Sequence, residues 1–134
     1  MVSAPYQISY DTKHAFVRML WSGYANSEEF RDGTELMLQL IVEYRCGKVF
    51  ADIYDMTLIG ASDQHWLEYN FMPRAIHAGF RQIAFLKPHS YFNAVAVESV
   101  CNRISGQLLS ICFFDGPAEA ENWLKETSVN DPGE

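Results

Sequence analysis

Alternating and near-continuous apolar runs divide the chain into strands and helices. The runs YQISY (6–10) and HAFVRMLW (14–21) partly alternate between apolar and polar residues, and the short DTK connection between them predicts an antiparallel β-hairpin. The run KVFADIY (48–54) is almost wholly apolar, which is typical of a central strand covered on both faces. Two later runs predict further strands: RQIAFLK (81–87) and LLSICFF (108–114).

A helical period governs the segments between these strands. NSEEFRDGTELMLQLIVEYRC (26–46) predicts an amphipathic helix with Asn26 or Ser27 as its N-cap and with Gly47 ending it in the left-handed C-terminal conformation. Its expected buried stripe consists of Phe30, Thr34, Met37, Ile41 and Tyr44.

The second helix is predicted to start near Ser62, to break at Pro73 and to stop at Gly79. Pro73 lacks an N–H and clashes with the preceding turn, so the helix should kink or restart with Pro73 at its first position. SYFNAVAVESVCNRI (90–104), capped by Ser90, and PAEAENWLKE (117–126), capped by Asp115 or Gly116, predict two more helices.

The resulting order is β-β-α-β-α-β-α-β-α. Strands that alternate with helices after an opening hairpin predict an α/β fold with a mixed, mostly parallel sheet of about five strands and four helices. In such folds, binding groups collect at the carboxyl ends of the parallel strands. Here that edge comprises residues 52–62, 87–90 and 115–117.

Length and charge narrow the class of protein. A chain of 134 residues with 49% apolar content fits one domain, predicted over residues 1–127, with SVNDPGE (128–134) as a flexible tail. A net charge of -7, with ten scattered basic residues, argues against nucleic acid as a partner. No run approaches the roughly 18 apolar residues that a membrane span requires. Three cysteines without a CxxC pair predict reduced thiols in a cytoplasmic protein.

The order of elements, together with the strand-turn-Ser-helix unit, resembles the STAS domain, the fold of the anti-sigma-factor antagonists. The runs FADIYDMTLIGASDQHWLEYNFMPRAIHAGFRQIAFLKP, GYANSEEF and FFDGPAEAENWL are similar to small stand-alone bacterial STAS or CRAL-TRIO-like proteins. The resemblance covers nearly the whole chain. It implies a STAS-like fold and either a protein-binding, regulatory role or, as in CRAL-TRIO proteins, an apolar ligand.

Ser62 is the position at which the resemblance places a phosphorylated serine. The sporulation-type motif is Asp-Ser-Ser-Gly, whereas this chain has Gly60, Ala61 and Asp63 around Ser62. A serine-hydrolase elbow would need a glycine where Gln64 stands. Helix capping is therefore the favoured interpretation of Ser62, with phosphorylation and nucleophilic catalysis as the two alternatives.

Asp52, Asp55 and Arg74 form the second group of candidates. A carboxylate in an apolar strand must be paired or lie at the strand's end. Arg74, next to the break at Pro73, is predicted to pair with Asp52 or Asp55, or else to bind an anionic ligand.

Aromatic residues and a methionine on two consecutive helices are candidates for an apolar pocket or for a dimer interface. This group consists of Trp66, Tyr69, Phe71, Met72, Phe80, Tyr91 and Phe92. The four histidines are too widely spaced for a metal site, and no loop indicates a cofactor.

These observations predict a non-enzymatic STAS-like module that binds a protein partner or a second copy of itself. A carrier of a small apolar ligand or lipid is the alternative, and a serine hydrolase comes third.

Overall fold

A five-stranded mixed sheet forms the centre of the molecule. In the computed structural model, residues 5–57, 60–104 and 109–126 are described, apart from the side chains at 91–93, 96 and 104. The predicted tail at 128–134 lies outside these ranges. The strand order is β1-β2-β3-β4-β5, in which the β1–β2 pair is antiparallel and each later neighbouring pair is parallel. The predicted α/β class and the position of the apolar strand β3 at the centre of the sheet are confirmed.

The bounds of the elements lie close to the predicted ones. The strands are β1 (Tyr6–Asp11), β2 (Phe16–Gly23), β3 (Lys48–Met56), β4 (Gln82–Leu86) and β5 (Ser110–Phe114). The helices are α1 (Ser27–Tyr44), α2 (Ala61–Trp66), a π-helical turn (Leu67–Phe71), α3 (Met72–Ala78), α4 (Tyr91–Ile104) and α5 (Pro117–Glu126).

The two faces of the sheet bury different sets of side chains. Alternate residues of a strand point to opposite faces, so Val49, Ala51 and Ile53 of β3 join one core whereas Phe50 joins the other. The first and larger core packs against α1, the π turn, α3 and α4, and the second packs against Ala120 and Leu124 of α5. The parallel strands β2, β3, β4 and β5 are neighbours in the same order in the sheet as in the sequence. Right-handed connections between successive strands therefore place all of the connecting helices on the same face of the sheet.

The N-terminus of α1 follows the sequence prediction, and its C-terminus does not. The Asn26 side chain accepts a hydrogen bond from the Glu29 N–H while the Glu29 side chain accepts one from the Asn26 N–H, which completes a capping box. At the other end, Arg45 takes the left-handed conformation, at φ 52° and ψ 45°. The prediction that Gly47 does so is wrong. Residue 47 must nevertheless be glycine, because the chain leaving α1 passes close to the turn at Gly79, and a Cβ on residue 47 would clash with the Gly79 carbonyl oxygen.

Pro73 is accommodated by a π turn rather than by a sharp break. The residues of α2, the π turn and α3 form one continuous helical stretch, in which the Met72 N–H bonds to the Leu67 carbonyl oxygen. Pro73 is the second residue of α3, not the first residue of a new segment as predicted. The π turn ends two residues before Pro73, whose ring and missing N–H are incompatible with ordinary helical bonding to the preceding turn. Gly79 ends the stretch with a φ of 119°, as predicted.

Gln82 is an unusual residue at the start of β4. Its side chain is fully buried, and neither its amide nitrogen nor its amide oxygen has a hydrogen-bond partner among the described residues. Alternation along β4 places Gln82 on the same face as Ala84 and Leu86, beneath α5. An unpaired buried amide is costly because it has lost its hydrogen bonds to water.

We therefore expect Gln82→Met to stabilise the protein by about 1 to 2 kcal/mol, because methionine has a similar shape and needs no hydrogen bond. Urea unfolding followed by circular dichroism measures the change. Gln7→Met, at an exposed position of β1, is the matched control and should change the free energy of unfolding by less than about 0.5 kcal/mol. An unchanged or lowered stability in the Gln82 variant would show that the amide is satisfied.

Candidate apolar binding cavity

A cavity of about 140 Å³ lies within the larger core, between the sheet and the helices on that face. Strands β2 to β5 form its floor, and α1, the π turn, α3 and α4 form its walls. The described side chains around it are Met19, Trp21, Phe30, Thr34, Met37, Ala51, Ile53, Met56, Leu67, Phe71, Met72, Phe80, Ile83, Phe85, Pro88, Val97, Val100, Cys101, Leu109 and Ile111.

The helical stretch with the π turn supplies a wall of this cavity. Phe71 is fully buried and Met72 is 5% exposed, so both side chains reach into the core. Phe71 ends the π turn, and Trp66 packs behind it with ring centroids 5.6 Å apart. Since π turns rotate the residues that follow them relative to an ordinary helix, this local irregularity sets which side chains face the sheet.

The aromatic candidates from the sequence divide into three groups. Phe71, Met72 and Phe80 line the cavity. Trp66 lies in the layer behind them, against Phe30 and Phe71, and Tyr69 is 65% exposed and contacts the His65 ring. The side chains of Tyr91 and Phe92 are outside the described residues.

Besides the indole N–H of Trp21, two of the described lining residues, Thr34 and Cys101, carry a polar or ionisable group. The Thr34 hydroxyl donates to the Phe30 carbonyl oxygen at 2.7 Å and is thereby satisfied within α1. Burial, with a smaller contribution from Glu98, raises the pKa of the Cys101 thiol to about 12. Cys101 is therefore a neutral thiol at physiological pH, and the described side chains that line the cavity carry no charge.

Ser62 lies apart from the cavity lining and does not cap α2. The N-cap is Gly60, with extended φ and ψ and no side-chain cap hydrogen bond, and Ser62 is the exposed second residue of the helix. The capping interpretation of Ser62 is therefore wrong. The helix begins at Ala61, two residues earlier than a Ser62 cap would require.

Asp63, the residue after Ser62, is the buried polar group of this turn. It is 5% exposed and accepts hydrogen bonds from the Ser27 hydroxyl at 2.9 Å and from the Arg31 Nε at 3.1 Å. Both donors belong to the first turns of α1, so the carboxylate joins the start of α2 to the start of α1. The sequence signal for this role is an acidic residue in a first helical turn, which by itself indicates only a favourable interaction with the helix dipole.

Arg74 pairs with Glu35 of α1 and not with Asp52 or Asp55. Both guanidinium NH groups bond to the Glu35 carboxylate, with NH1 to Oε1 at 3.0 Å, and Arg74 also bonds to the carbonyl and side-chain oxygens of Asn70. Asp52 points to the opposite face of the sheet, in phase with Phe50, and accepts from the Tyr54 N–H at 3.1 Å. The predicted pairing fails because α3 and the Asp52 side chain lie on different faces.

Asp55 lies at the exposed end of β3, on the edge where the parallel strands terminate. Its carboxylate is 3.9 Å from the Nε2 of His89, whose ring also lies against Tyr54. Asp55 and His89 therefore meet at the strand ends, as the topology predicts for residues that follow neighbouring parallel strands.

Metal-binding and membrane-spanning features are absent from the part of the chain that is described. Residues 5–57, 60–104 and 109–126 contain no cluster of three or more His, Cys, Asp or Glu side chains arranged to hold a metal ion. No helix within them is both long enough and apolar enough to cross a bilayer. The three cysteines Cys46, Cys101 and Cys112 are free thiols.

Comparison with known proteins identifies the fold. No protein-family model and no curated protein matches the chain. Among solved structures, an uncharacterized protein from the DUF3478 family of Shewanella loihica, with a SpoIIAA-like fold, is similar at a TM-score of 0.60. The two chains are 16% identical, and the match covers 89% of this chain and 91% of the other. The chain therefore has a SpoIIAA-like (STAS) fold, which confirms the resemblance found in the sequence.

Most of the cavity was not identified from the sequence. Met19 and Trp21 of β2, Met37 of α1 and Met56 of β3 line it together with Val100 of α4. The alternation of β2 and the stripe of α1 mark several of these side chains as buried. Neither pattern distinguishes a side chain that borders a cavity from one that fills the core.

Proposed function

We propose that this STAS-like chain is a non-enzymatic binding module that holds a small apolar molecule in the cavity between its sheet and helices. The observation that carries the proposal is the cavity itself, with a volume of about 140 Å³ and a lining whose described side chains are apolar apart from the Thr34 hydroxyl, the Cys101 thiol and the Trp21 indole N–H. Native interiors are packed to nearly crystalline density, and voids of this size are uncommon in a small domain. A dry apolar cavity of roughly 150 Å³ is known to take up benzene or xenon.

Four methionines contribute to the lining and favour a binding role over a packing defect. Met19, Met37, Met56 and Met72 come from four different elements and meet at this cavity. Methionine has an unbranched, polarisable side chain that adjusts to irregular shapes and makes favourable contacts with aromatic rings. The methionine side chains can therefore adjust to bound molecules of different shapes at little conformational cost.

A regulatory switch at Ser62 has less support. The neighbours Gly60, Ala61 and Asp63 differ from the Asp-Ser-Ser-Gly motif of sporulation-type STAS proteins. Asp63 holds a carboxylate next to Ser62 that is committed to Ser27 and Arg31. A phosphate on Ser62 would add a second negative charge beside it, which is repulsive. Binding of an apolar molecule therefore ranks above phosphorylation-controlled binding of a protein.

The test fills the cavity with protein atoms. Ala51 is 1% exposed and faces the cavity from the central strand, so Ala51→Leu adds three carbon atoms there. We expect toluene to raise the melting temperature of the wild-type protein but not that of this variant. Without toluene, the variant should be more stable than the wild type by up to about 2 kcal/mol, since each buried methylene contributes about 0.8 kcal/mol.

Ala118→Leu is the matched control, because Ala118 is exposed in α5, across the sheet from the cavity. It should respond to toluene as the wild-type protein does. Native mass spectrometry of the purified wild-type protein supplies an independent measurement of any molecule that co-purifies. An equal toluene response in the wild-type and Ala51→Leu proteins, or none in either, would contradict the proposed function.

A further inference from the structure

The chemical character of the cavity wall restricts what the cavity can hold. Its described lining contains no Asp, Glu, Lys, Arg or His side chain. The Thr34 hydroxyl already donates within its own helix, and Cys101 is a neutral thiol. An ionised group buried against this wall would lose its hydration and find no opposite charge among the described side chains, which is strongly unfavourable.

The cations on the surrounding helices are committed to carboxylates outside the cavity. Arg74 of α3 is held by Glu35 of α1, and Arg103 of α4 donates from Nε to Glu68 of the π turn at 3.2 Å. A carboxylate or phosphate on a guest would have to displace one of these protein carboxylates before it could bind a guanidinium. Neither arginine belongs to the cavity lining.

Half of the twenty described lining residues are aromatic or carry sulfur. The aromatic ones are Trp21, Phe30, Phe71, Phe80 and Phe85, and the sulfur comes from the four methionines and Cys101. Sulfur–aromatic and edge-to-face aromatic contacts are favourable beyond the burial of apolar area. An aromatic guest would gain these contacts, which a saturated chain of the same size would not.

We propose that the cavity selects uncharged aromatic molecules of about ten or fewer non-hydrogen atoms and rejects ionised ones, fatty-acid carboxylates included. This inference rests on the proposed function and specifies the class of guest. It distinguishes the site from carrier sites in which a buried arginine or lysine binds an acidic headgroup, because no Lys, Arg or His is among the described residues that line this cavity.

Three probes of similar size separate charge from shape: toluene, benzyl alcohol and benzoate at pH 7.5. Methyl NMR of methionine-labelled protein reports the result, since Met19, Met37, Met56 and Met72 all border the cavity. We expect toluene and benzyl alcohol to shift these methyl signals. Benzoate should need at least about 100-fold higher concentration than benzyl alcohol for half-saturation, because its charge would be buried without a partner.

Each outcome has a distinct meaning. Benzoate that shifts the methionine signals at the same concentration as benzyl alcohol would overturn the charge selection while leaving the cavity a binding site. No shift with any of the three probes would overturn both the selection and the proposed function. Loss of the toluene shifts in Ala51→Leu, with their retention in Ala118→Leu, assigns the signals to the cavity.

Discussion

Replacing Gly47 by alanine will destabilise the protein by about 3 kcal/mol or more, because the new methyl group has no room. A Cβ built on Gly47 would lie far inside the contact distance of the Gly79 carbonyl oxygen, and both partners are backbone, so neither can rotate away. The Gly47 carbonyl oxygen also accepts from the N–H groups of Arg81 and Gln82, each at 3.0 Å. A displaced Gly47 would therefore disturb the entry to β4 as well as the exit from α1.

Gly60→Ala is the matched control for this change. Gly60 has φ -77° and ψ 171°, which any residue adopts, and a Cβ there would meet no atom within 4 Å. Its free energy of unfolding, measured in urea, should change by less than about 1 kcal/mol. Equal stability of the Gly47 and Gly60 variants would contradict the close approach of the backbone at Gly47 to the Gly79 carbonyl oxygen.

Replacing Asp63 by alanine will cost about 2 to 3 kcal/mol of stability. The carboxylate is buried and receives two hydrogen bonds, one of them from a charged guanidinium, and its removal leaves the Ser27 hydroxyl and Arg31 without their acceptor. Since the Arg31 side chain is 37% exposed, water compensates part of the loss on the arginine side.

A double-mutant cycle separates the ion pair from the rest of the effect. Asp63→Ala and Arg31→Met together should cost less than the sum of the two single changes, because each single change already removes the shared bond. Asp32→Ala, at an exposed position of the same helix, is the control and should change stability by less than about 0.5 kcal/mol. Strict additivity of the two changes would show that Asp63 and Arg31 do not interact.

Local patterns were sufficient to predict most of the fold. The alternation in the opening hairpin, the apolar run of β3 and the capping signals at Asn26 act between residues that are near in sequence, and the structure confirms each of them. The errors fall at connections. The predictions for Gly47, Ser62 and Pro73 rest on local residue preferences alone. In the structure, Gly47 is constrained by the neighbouring turn at Gly79, and Ser62 lies inside a helix that starts earlier than predicted. Pro73 follows the π turn.

The candidate site was predicted less completely, because its parts are brought together from distant segments. Phe71, Met72 and Phe80 were selected as apolar residues on a helix and its following turn, and they line the cavity. Their opposing residues, such as Met19 and Val100, lie far away along the chain. The break expected at Pro73 predicts that Arg74 is aimed at Asp52 or Asp55, but Arg74 pairs with Glu35, and the sheet separates it from the Asp52 side chain.

The sequence by itself determined the class of fold and the order of its elements, since periodicity and capping depend on residues within one or two turns of each other. Only the tertiary structure decided where atoms are missing from the core, because a cavity is a shortfall in packing among side chains from several elements. It likewise decided that the described side chains of the cavity wall are uncharged, since Arg31, Arg74 and Arg103 of the surrounding helices pair with carboxylates outside it.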